Sequence, residues 1–433
     1  MRTDVVLNGS SSPAANYIGW APRPATIRLS DATGATGPVA VTLRNQRTTG
    51  GQVVFFTDLT RPPADKLALS LPQDGSKVNF FVAGKFKSPS TNDKDAAIEV
   101  VNNTGGAVLS LTQLMVRVRK DANTLTAGER DRFVAAFAQF NNRGMGRFSE
   151  FRDMHRTDAD LRESHRNHGF LPWHRAYLLD LERELQAIDP SVALHYWRFD
   201  KPAGKLFTQQ FIGETVQAAS GVNFVKFAAS NPLQFWKTDN GTGVDRGGLF
   251  DTLRKSASGM MGAVMIEAAT INIGAPRSLY ESFVAMEGQP HGAAHVSFSG
   301  YINNPATAPR DPLFFLLHCN VDRLWAMWQW LKKRFDGSQA AAYRFQGKAG
   351  DPGSTRVGHN KLDTMWPWNG VTGNGTTNQR PRTAPGGDLA RSIIAAGPPP
   401  QPTVGDMIDY QGIFGADDFC GFDYDDVPFE AGS

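Results

Sequence analysis

Between Ala25 and Val118 apolar and polar positions alternate in short runs broken by turn residues, as in Val39-Ala40-Val41-Thr42 and Lys77-Val78-Asn79-Phe80. Alternation of this kind turns one face of an extended chain toward a core. Runs at Ala25–Ser30, Val39–Arg44, Gln52–Thr57, Leu67–Leu71, Lys77–Ala83, Ile98–Val101 and Val108–Val118 predict strands at the spacing of a small sandwich or barrel. The texture changes at Thr126-Ala127-Gly128-Glu129. There a Thr with a Glu three residues on forms a capping box ahead of Phe133, Val134, Phe137 and Phe140. Helices are predicted from that point, over Phe148–Met154, Trp173–Ile188, Pro276–Glu287, a segment around His291–Phe298, and Pro312–Lys333. Gly/Pro/Asn-rich loops at Gly347–Gly358, Asn369–Gly387 and Pro398–Pro402 are long enough to form functional walls or surface excursions. At 433 residues the chain exceeds the usual size of one hydrophobic core. The pattern divides it into an all-β domain over residues 1–118 and a mainly α domain over residues 119–433.

Composition changes this picture little but removes several function classes. Apolar residues at 41% and charged residues at 20% are ordinary for a soluble globule. Lys plus Arg number 45 against 42 Asp plus Glu, and no long run of like charge asks for a nucleic-acid partner. Met1-Arg2-Thr3-Asp4 leads into a polar, Gly/Ser-rich stretch without the apolar segment of a secretory signal, and no run reaches a membrane span of about 18 apolar residues. A cytoplasmic location is the expectation, with export on a partner protein's signal left open. Only Cys319 and Cys420 occur, which argues against a disulfide scaffold and against a thiolate metal site.

The chemistry is concentrated in the histidines. Of nine, four cluster as His155, His165, His168 and His174, and three as His291, His295 and His318, leaving His195 and His359 alone as structural or solvated residues. His291 and His295 are four apart, so on a helix their imidazoles project from one face and can meet a single ion. His318 lies in the otherwise apolar run Asp311-Pro312-Leu313-Phe314-Phe315-Leu316-Leu317-His318, where an uncharged ring needs a partner to offset its desolvation. In the first group, Pro172 suits the first turn of a helix carrying His174, with His165 on the loop before it and His155 closing the helix Phe148–Met154. Spacing alone leaves His165 and His168 with comparable claims. Two imidazole trios without thiolates or an obvious carboxylate exclude calcium and magnesium and favour copper or zinc. Zinc hydrolases usually add a carboxylate, and no His-Glu-x-x-His is present, so copper is preferred.

These residues resemble the tyrosinases, catechol oxidases and, more distantly, hemocyanins. Phe148-Ser149-Glu150-Phe151-Arg152-Asp153-Met154-His155 looks like the family's first ligand segment. His165 followed by Phe170-Leu171-Pro172-Trp173-His174-Arg175 matches its second and selects His165 over His168. His291-x3-His295 and Asp311-Pro312-x-Phe314-Phe315-x-x-His318-x3-Asp322 match the other copper site. Weaker echoes run from about Arg117 to Asp426, including Tyr196-Trp197, Asn231-Pro232-Leu233, Met365-Trp366-Pro367-Trp368 and Phe422-Asp423-Tyr424-Asp425. The resemblance implies a four-helix bundle core with three imidazoles on each of two copper ions and dioxygen held between the metals as peroxide. It implies oxidation of o-diphenols to o-quinones and hydroxylation of monophenols such as tyrosine, the work of a melanin-forming type of enzyme. The implied partners are a phenolic small molecule, dioxygen and a copper-delivery helper.

The resemblance also implies roles for single residues. Glu287, four before His291, looks like the Glu that orients a water able to deprotonate an incoming phenol, whose ordinary pKa is near 10. Gly292, Val296 and Phe314 are expected at the substrate pocket, Phe314 packing against the ligand rings. Asp322, one turn after His318, is expected either to orient ligands from behind or to pair with an arginine. Several positions depart from the pattern. Gly292 stands where many members active on monophenols have Asn, which leaves hydroxylation less secured than diphenol oxidation. Leu317 replaces a second histidine, Glu163 stands where relatives carry a thioether cysteine, and His195 replaces a Pro. Other readings are an o-aminophenol oxidase or tailoring oxidase in biosynthesis, and an oxygen carrier of the hemocyanin type. The chain ends nine residues after Tyr424, so no C-terminal cover is expected, and residues 1–115 are expected to shield or steady the site.

Overall fold

A computed structural model describes residues 1–155, 163–221, 223–238, 241–247, 264–344, 358–370, 387–392 and 397–429. The predicted loops Gly347–Gly358 and Asn369–Gly387 fall almost wholly outside these residues. The chain divides into two compact units, one of Met1–Arg119, Ser392–Gly397 and Gln411–Ser433, the other of Lys120–Arg391 and Pro398–Tyr410. Among the described residues no helix is long and apolar enough to cross a membrane.

The first unit is a two-sheet sandwich. One sheet runs β1 (Arg2–Leu7), β3 (Arg23–Asp31), β7 (Val78–Gly84), β5 (Val53–Phe56), all antiparallel. The other runs β2 (Tyr17–Ile18), β9 (Val108–Val116), β8 (Ala96–Asn102), β4 (Val39–Asn45), β6 (Lys66–Leu71), with β2 parallel to β9. Strict alternation buries Ala25, Ile27 and Leu29 of β3 and Val39, Val41 and Leu43 of β4 on the inner faces, where they meet Val53, Phe55, Phe80, Val82, Ile98, Val100 and Leu114. The seven predicted strands are found within two residues at each end. The first strand was not foreseen: Arg2-Thr3-Asp4-Val5-Val6-Leu7 has no clean alternation, and its pairing partner β3 decides it. Gly84 ends β7 where a side chain has no room, since a Cβ there would lie 2.5 Å from Val116 Cγ1 and 2.8 Å from the Gly19 carbonyl. In the same unit Trp20 donates its main-chain N–H to Asp423 (2.8 Å) and its indole N–H to the Tyr424 carbonyl (2.7 Å).

The second unit is helical. α1 (Ala127–Asn141) begins at Thr126 with both bonds of the predicted capping box formed. α2 (Phe148–Met154) follows, then α3 (Phe170–Ile188), α4 (Glu267–Thr270), α5 (Tyr280–Phe283), α6 (Ala293–Val296) and α7 (Leu313–Lys332). The two long helices α3 and α7 pack on each other, and α1 packs on α3. α3 starts three residues earlier than the apolar periodicity indicates, because Pro172 is tolerated inside a first turn where its missing N–H costs no bond. The helix predicted over Pro276–Glu287 is largely broken. Only Tyr280–Phe283 is α-helical, followed by a tight turn at Val284–Glu287 and an irregular one at Gly288–Gly292. Beyond the end of that stretch Pro290 lacks the N–H that would continue a ladder, and Gln289 before it is extended, with a φ of −139° and a ψ of 119°. α7 is anchored at its start by Asp311. That carboxylate accepts from Leu313 N (2.9 Å) and takes a two-pronged ion pair from the buried Arg246, at 2.7 and 2.9 Å.

Candidate metal centre and active site

Six imidazoles from separate elements meet inside the helical unit. His155 caps the C-terminus of α2, His165 sits on the loop before α3, and His174 lies in the first turns of α3. That loop can curl tightly because residue 169 is glycine; a Cβ there would stand 2.5 Å from the Glu163 carbonyl and 2.8 Å from that of Gly358. His291 lies in the irregular turn and His295 in α6. Gly292 and Ala293 between them keep helical backbone angles, so the spacing of four still brings the two rings to 4.7 Å. His318 comes from the fully buried stretch of α7. In each trio, His155/His165/His174 and His291/His295/His318, one ring nitrogen from every residue lies within 4.8 Å of the others. The trios face each other, with the rings of His174 and His318 stacked at 4.3 Å and those of His165 and His291 tilted to each other at 6.4 Å.

Hydrogen bonds fix which nitrogen each ring presents. Nδ1 of His155 donates to the Pro305 carbonyl (3.1 Å), that of His174 to Phe170 (2.8 Å), that of His291 to Glu287 (2.7 Å) and that of His295 to Ile302 (2.7 Å). A carbonyl can only accept, so these four rings carry their proton on Nδ1 and turn a lone pair outward on Nε2. The Nε2 atoms of His155 and His174 then stand 3.4 Å apart, lone pair toward lone pair. Those of His291 and His295 both converge on His318 Nε2, at 3.3 and 3.1 Å. A proton on His318 satisfies one of the two; a cation satisfies all three. His318 Nδ1 is buried without a hydrogen-bond partner, and His165 Nδ1 meets the Ser164 hydroxyl at 2.9 Å. Burial holds every ring in the neutral form that binds metal, pushing His155 down to about 3, His295 to about 4 and the other four well below the ordinary value. The donor set therefore fits two borderline-soft cations.

Glu287 lies beside the second trio. Its carbonyl holds His291, and its carboxylate accepts from the main-chain N–H of Arg166 at 2.6 Å. Burial pushes the carboxyl up to about 7, against the opposing pull of that N–H and of the Arg166 charge. It lines an open cleft of about 630 Å³ with Arg166, Asn167, His168, Glu281, Val284 and Gly292. Gly292 leaves that wall low, since a Cβ there would meet only the Glu287 carbonyl, at 3.4 Å. Val296, one turn on, is 64% exposed. Phe314 has no exposed surface; its ring packs 4.2 Å from His318, 4.9 Å from His155 and 6.0 Å from His295. Asp322 forms a fully buried ion pair with Arg175 at 2.5 Å, which joins α7 to α3 just behind His318 and His174. Arg175 also donates to Gln329 (3.0 Å) and the Met407 carbonyl (2.7 Å). His168 is outside the trios, its ring beside Tyr280 and Tyr343, and His195 accepts from Lys120 N at 3.3 Å. Glu163, 3% exposed, accepts from Trp366 N. Nothing in the sequence marks Ser164, Arg166 or the carbonyls that accept from the four Nδ1 protons. Arg175 is marked by its place directly after His174 in the matched segment.

A family model described as the common central domain of tyrosinase matches residues 145–331, a span that contains all six histidines. A tyrosinase of Streptomyces glaucescens is 35% identical over 270 residues, covering 58% of this chain and 92% of that protein. The chain belongs to the tyrosinase family. A tyrosinase of Streptomyces antibioticus is 32% identical over 277 residues, covering 59% of this chain and 94% of that protein. A grixazone synthase of Streptomyces griseus is 34% identical over 267 residues, covering 50% and 85%. Membership in the tyrosinase family makes this chain an oxidase with a binuclear copper site, and the two facing trios are the part of the structure compatible with that site.

Proposed function

We propose that His155, His165 and His174 hold one copper ion, that His291, His295 and His318 hold the other, and that the chain uses dioxygen to oxidise o-diphenols to o-quinones and to hydroxylate monophenols. The convergence of Nε2 lone pairs with the Nδ1 protons tied to carbonyls supports this most directly. A four-helix core of α1, α2, α3 and α7 around the metals is part of the same reading, supported by the packing of α3 on α7 and on α1.

Bound copper supplies the redox chemistry toward dioxygen. The chain's own residues do the rest. Glu287, with its carboxyl near neutrality and its cleft-side position, takes the phenolic proton directly or through a water. The Arg166 N–H fixes the direction of that carboxylate. Gly292 leaves room for an aromatic ring beside His291, and Val296 is exposed one turn beyond it. Phe314 braces three of the ligand rings from behind, and the Arg175–Asp322 pair keeps α3 and α7 in register. An open cleft reaching Glu287 favours turnover over reversible oxygen carriage. A tailoring role in biosynthesis, including oxidation of o-aminophenols, is the second reading; it draws on the likeness to a protein named grixazone synthase.

Metal analysis with a catechol assay tests the proposal. Two coppers per chain and quinone formation are expected, with copper lost as acid competes for the imidazoles. Fewer than two coppers in an active protein, or oxygen uptake without quinone, overturns it. Comparing kcat/KM for tyrosine, a catechol and an o-aminophenol separates the two readings.

A further inference from the structure

One path of aromatic rings leads away from the first histidine trio and ends on a carboxylate that the oxidation of phenols does not use. Trp173, fully buried, packs its ring against two of the three ligands, 5.9 Å from His155 and 5.1 Å from His174. It also meets Trp368, at 5.8 Å. Trp368 is 1% exposed and donates its indole N–H to Asp180 at 2.8 Å. That acceptor sets it apart. The indoles of Trp20, Trp173, Trp236 and Trp328 donate to carbonyls, which accept a hydrogen bond but are far too weak as bases to take the proton. Tyr177, 4.9 Å from Trp173, likewise donates its hydroxyl to the Phe151 carbonyl. Burial pushes the Asp180 carboxyl up to about 6, against the bonds from Ala390 N (2.9 Å) and Trp368, so at neutral pH it is a carboxylate with more than ordinary affinity for a proton. Ala390 is half-buried, which places this end of the path near the surface.

We propose that Trp173 and Trp368 form a relay that carries an oxidising equivalent away from the first trio when no phenol occupies the cleft, with Asp180 as its proton acceptor. Indole rings give up an electron far more easily than the phenyl rings of Phe170 and Phe314, which also pack against ligands. Trp368 loses one electron, which passes through the Trp173 ring and reduces the oxidised metal site by one unit. Its indole proton moves to Asp180, leaving a neutral indolyl radical beside a neutral carboxylic acid. Oxidation makes an indole N–H strongly acidic, so a carboxylate at hydrogen-bond distance settles the radical on Trp368 rather than on Trp173, whose N–H faces the Trp366 carbonyl. A diphenol at the surface returns the electron and releases one proton to water, and Asp180 gives its own proton back to the indole. The ligand imidazoles are thereby spared. This rests on the copper reading of the trios, but the radical and the modified residues are read without turnover.

The test gives the copper-loaded protein hydrogen peroxide, an oxidant for the metal site, in the absence of phenol. Freeze-quench electron paramagnetic resonance and peptide mass spectrometry are the readouts, with metal-free protein as the control. The wild type is expected to show a radical signal that narrows when its tryptophans are ring-deuterated. Oxygen should be added at Trp368 and not at Trp366, which is as buried and two residues away but has no hydrogen-bond partner for its indole. That comparison needs no variant. Trp368→Phe should lose the signal and move the added oxygen to His155, His165 or His174. Asp180→Asn keeps an acceptor for the indole but no base, and should lose the signal as well. In the wild type the signal per bound copper should fall as pH drops through about 6, where Asp180 becomes protonated and can no longer accept. Equal histidine oxidation in wild type and Trp368→Phe, or an undiminished signal in Asp180→Asn, overturns the proposal. A chain that binds two coppers and forms quinone yet modifies neither tryptophan of the path sinks the relay alone, whereas one that binds no copper sinks the oxidase reading and the relay with it.

Discussion

The two histidine trios are alike in composition and unlike in construction. The second is built around His318, whose Nε2 has both partners within 3.3 Å, while the first has one such approach, 3.4 Å between His155 and His174. Two rings of each trio are held by carbonyls, His291 and His295 at 2.7 Å against 3.1 and 2.8 Å for His155 and His174; of the third rings, His165 meets the Ser164 hydroxyl, while His318 Nδ1 is buried without a partner among the described residues. A helical spacing and a long buried helix give the second trio its geometry early. The first is assembled from a helix end, a loop and a helix start, so its precision depends on packing. The difference teaches that similar ligand sets can differ in how far they are organised before a metal arrives.

Removing the hub should have the largest effect. His318→Asn is expected to lower catechol turnover by on the order of a thousandfold or more and to leave at most one copper by metal analysis. His165→Asn should keep the copper of the second trio; loss of both ions from that variant would erase the contrast. Next comes a feature that both trios share. Arg175→Leu removes the cation paired with the buried Asp322, so chemical denaturation should show a loss of about 3–5 kcal/mol, and a loss under 1 kcal/mol would mean the pair is not what registers α3 on α7.

Glu287 lies beside the second trio and holds His291 through its carbonyl. Glu287→Gln should cut kcat/KM for a monophenol about a hundredfold. Since burial raises its carboxyl to about 7, the base form accumulates only above that pH; the wild-type rate should climb as pH rises through about 7 and the variant's should not. An unchanged pH profile in the variant would assign the proton transfer elsewhere. The smallest effect belongs to the weakest prop. Ser164→Ala should weaken copper binding about tenfold at the first trio only, read by competition with a chelator, and equal weakening at both trios would show that they are coupled rather than separately built.

Much of the site was legible in the residues. His291 and His295 announce themselves by spacing, and His318 by being a ring with no polar neighbours in an apolar helix. The capping box at Thr126 and the alternation in β3 and β4 are local, so they survive folding unchanged. Other features were not legible because their cause lies elsewhere in the chain. Strand β1 exists because β3 offers it an edge, and of the helix predicted over Pro276–Glu287 only Tyr280–Phe283 is α-helical. Arg166 and Glu281 look like ordinary surface charges until the fold brings residues some 115 apart to one cleft.

The sequence by itself determined the donor chemistry: six imidazoles, few thiols, and one acid four residues ahead of a ligand. It also determined the two textures, alternating and helical, since these follow from side-chain periods that need no partner. The tertiary structure alone decided which nitrogen each ring presents, which carbonyl pins it, how closely the trios approach, and how far burial shifts Glu287. Those quantities depend on distances between segments far apart in the chain, and hydrogen bonding and desolvation act only once the segments have met.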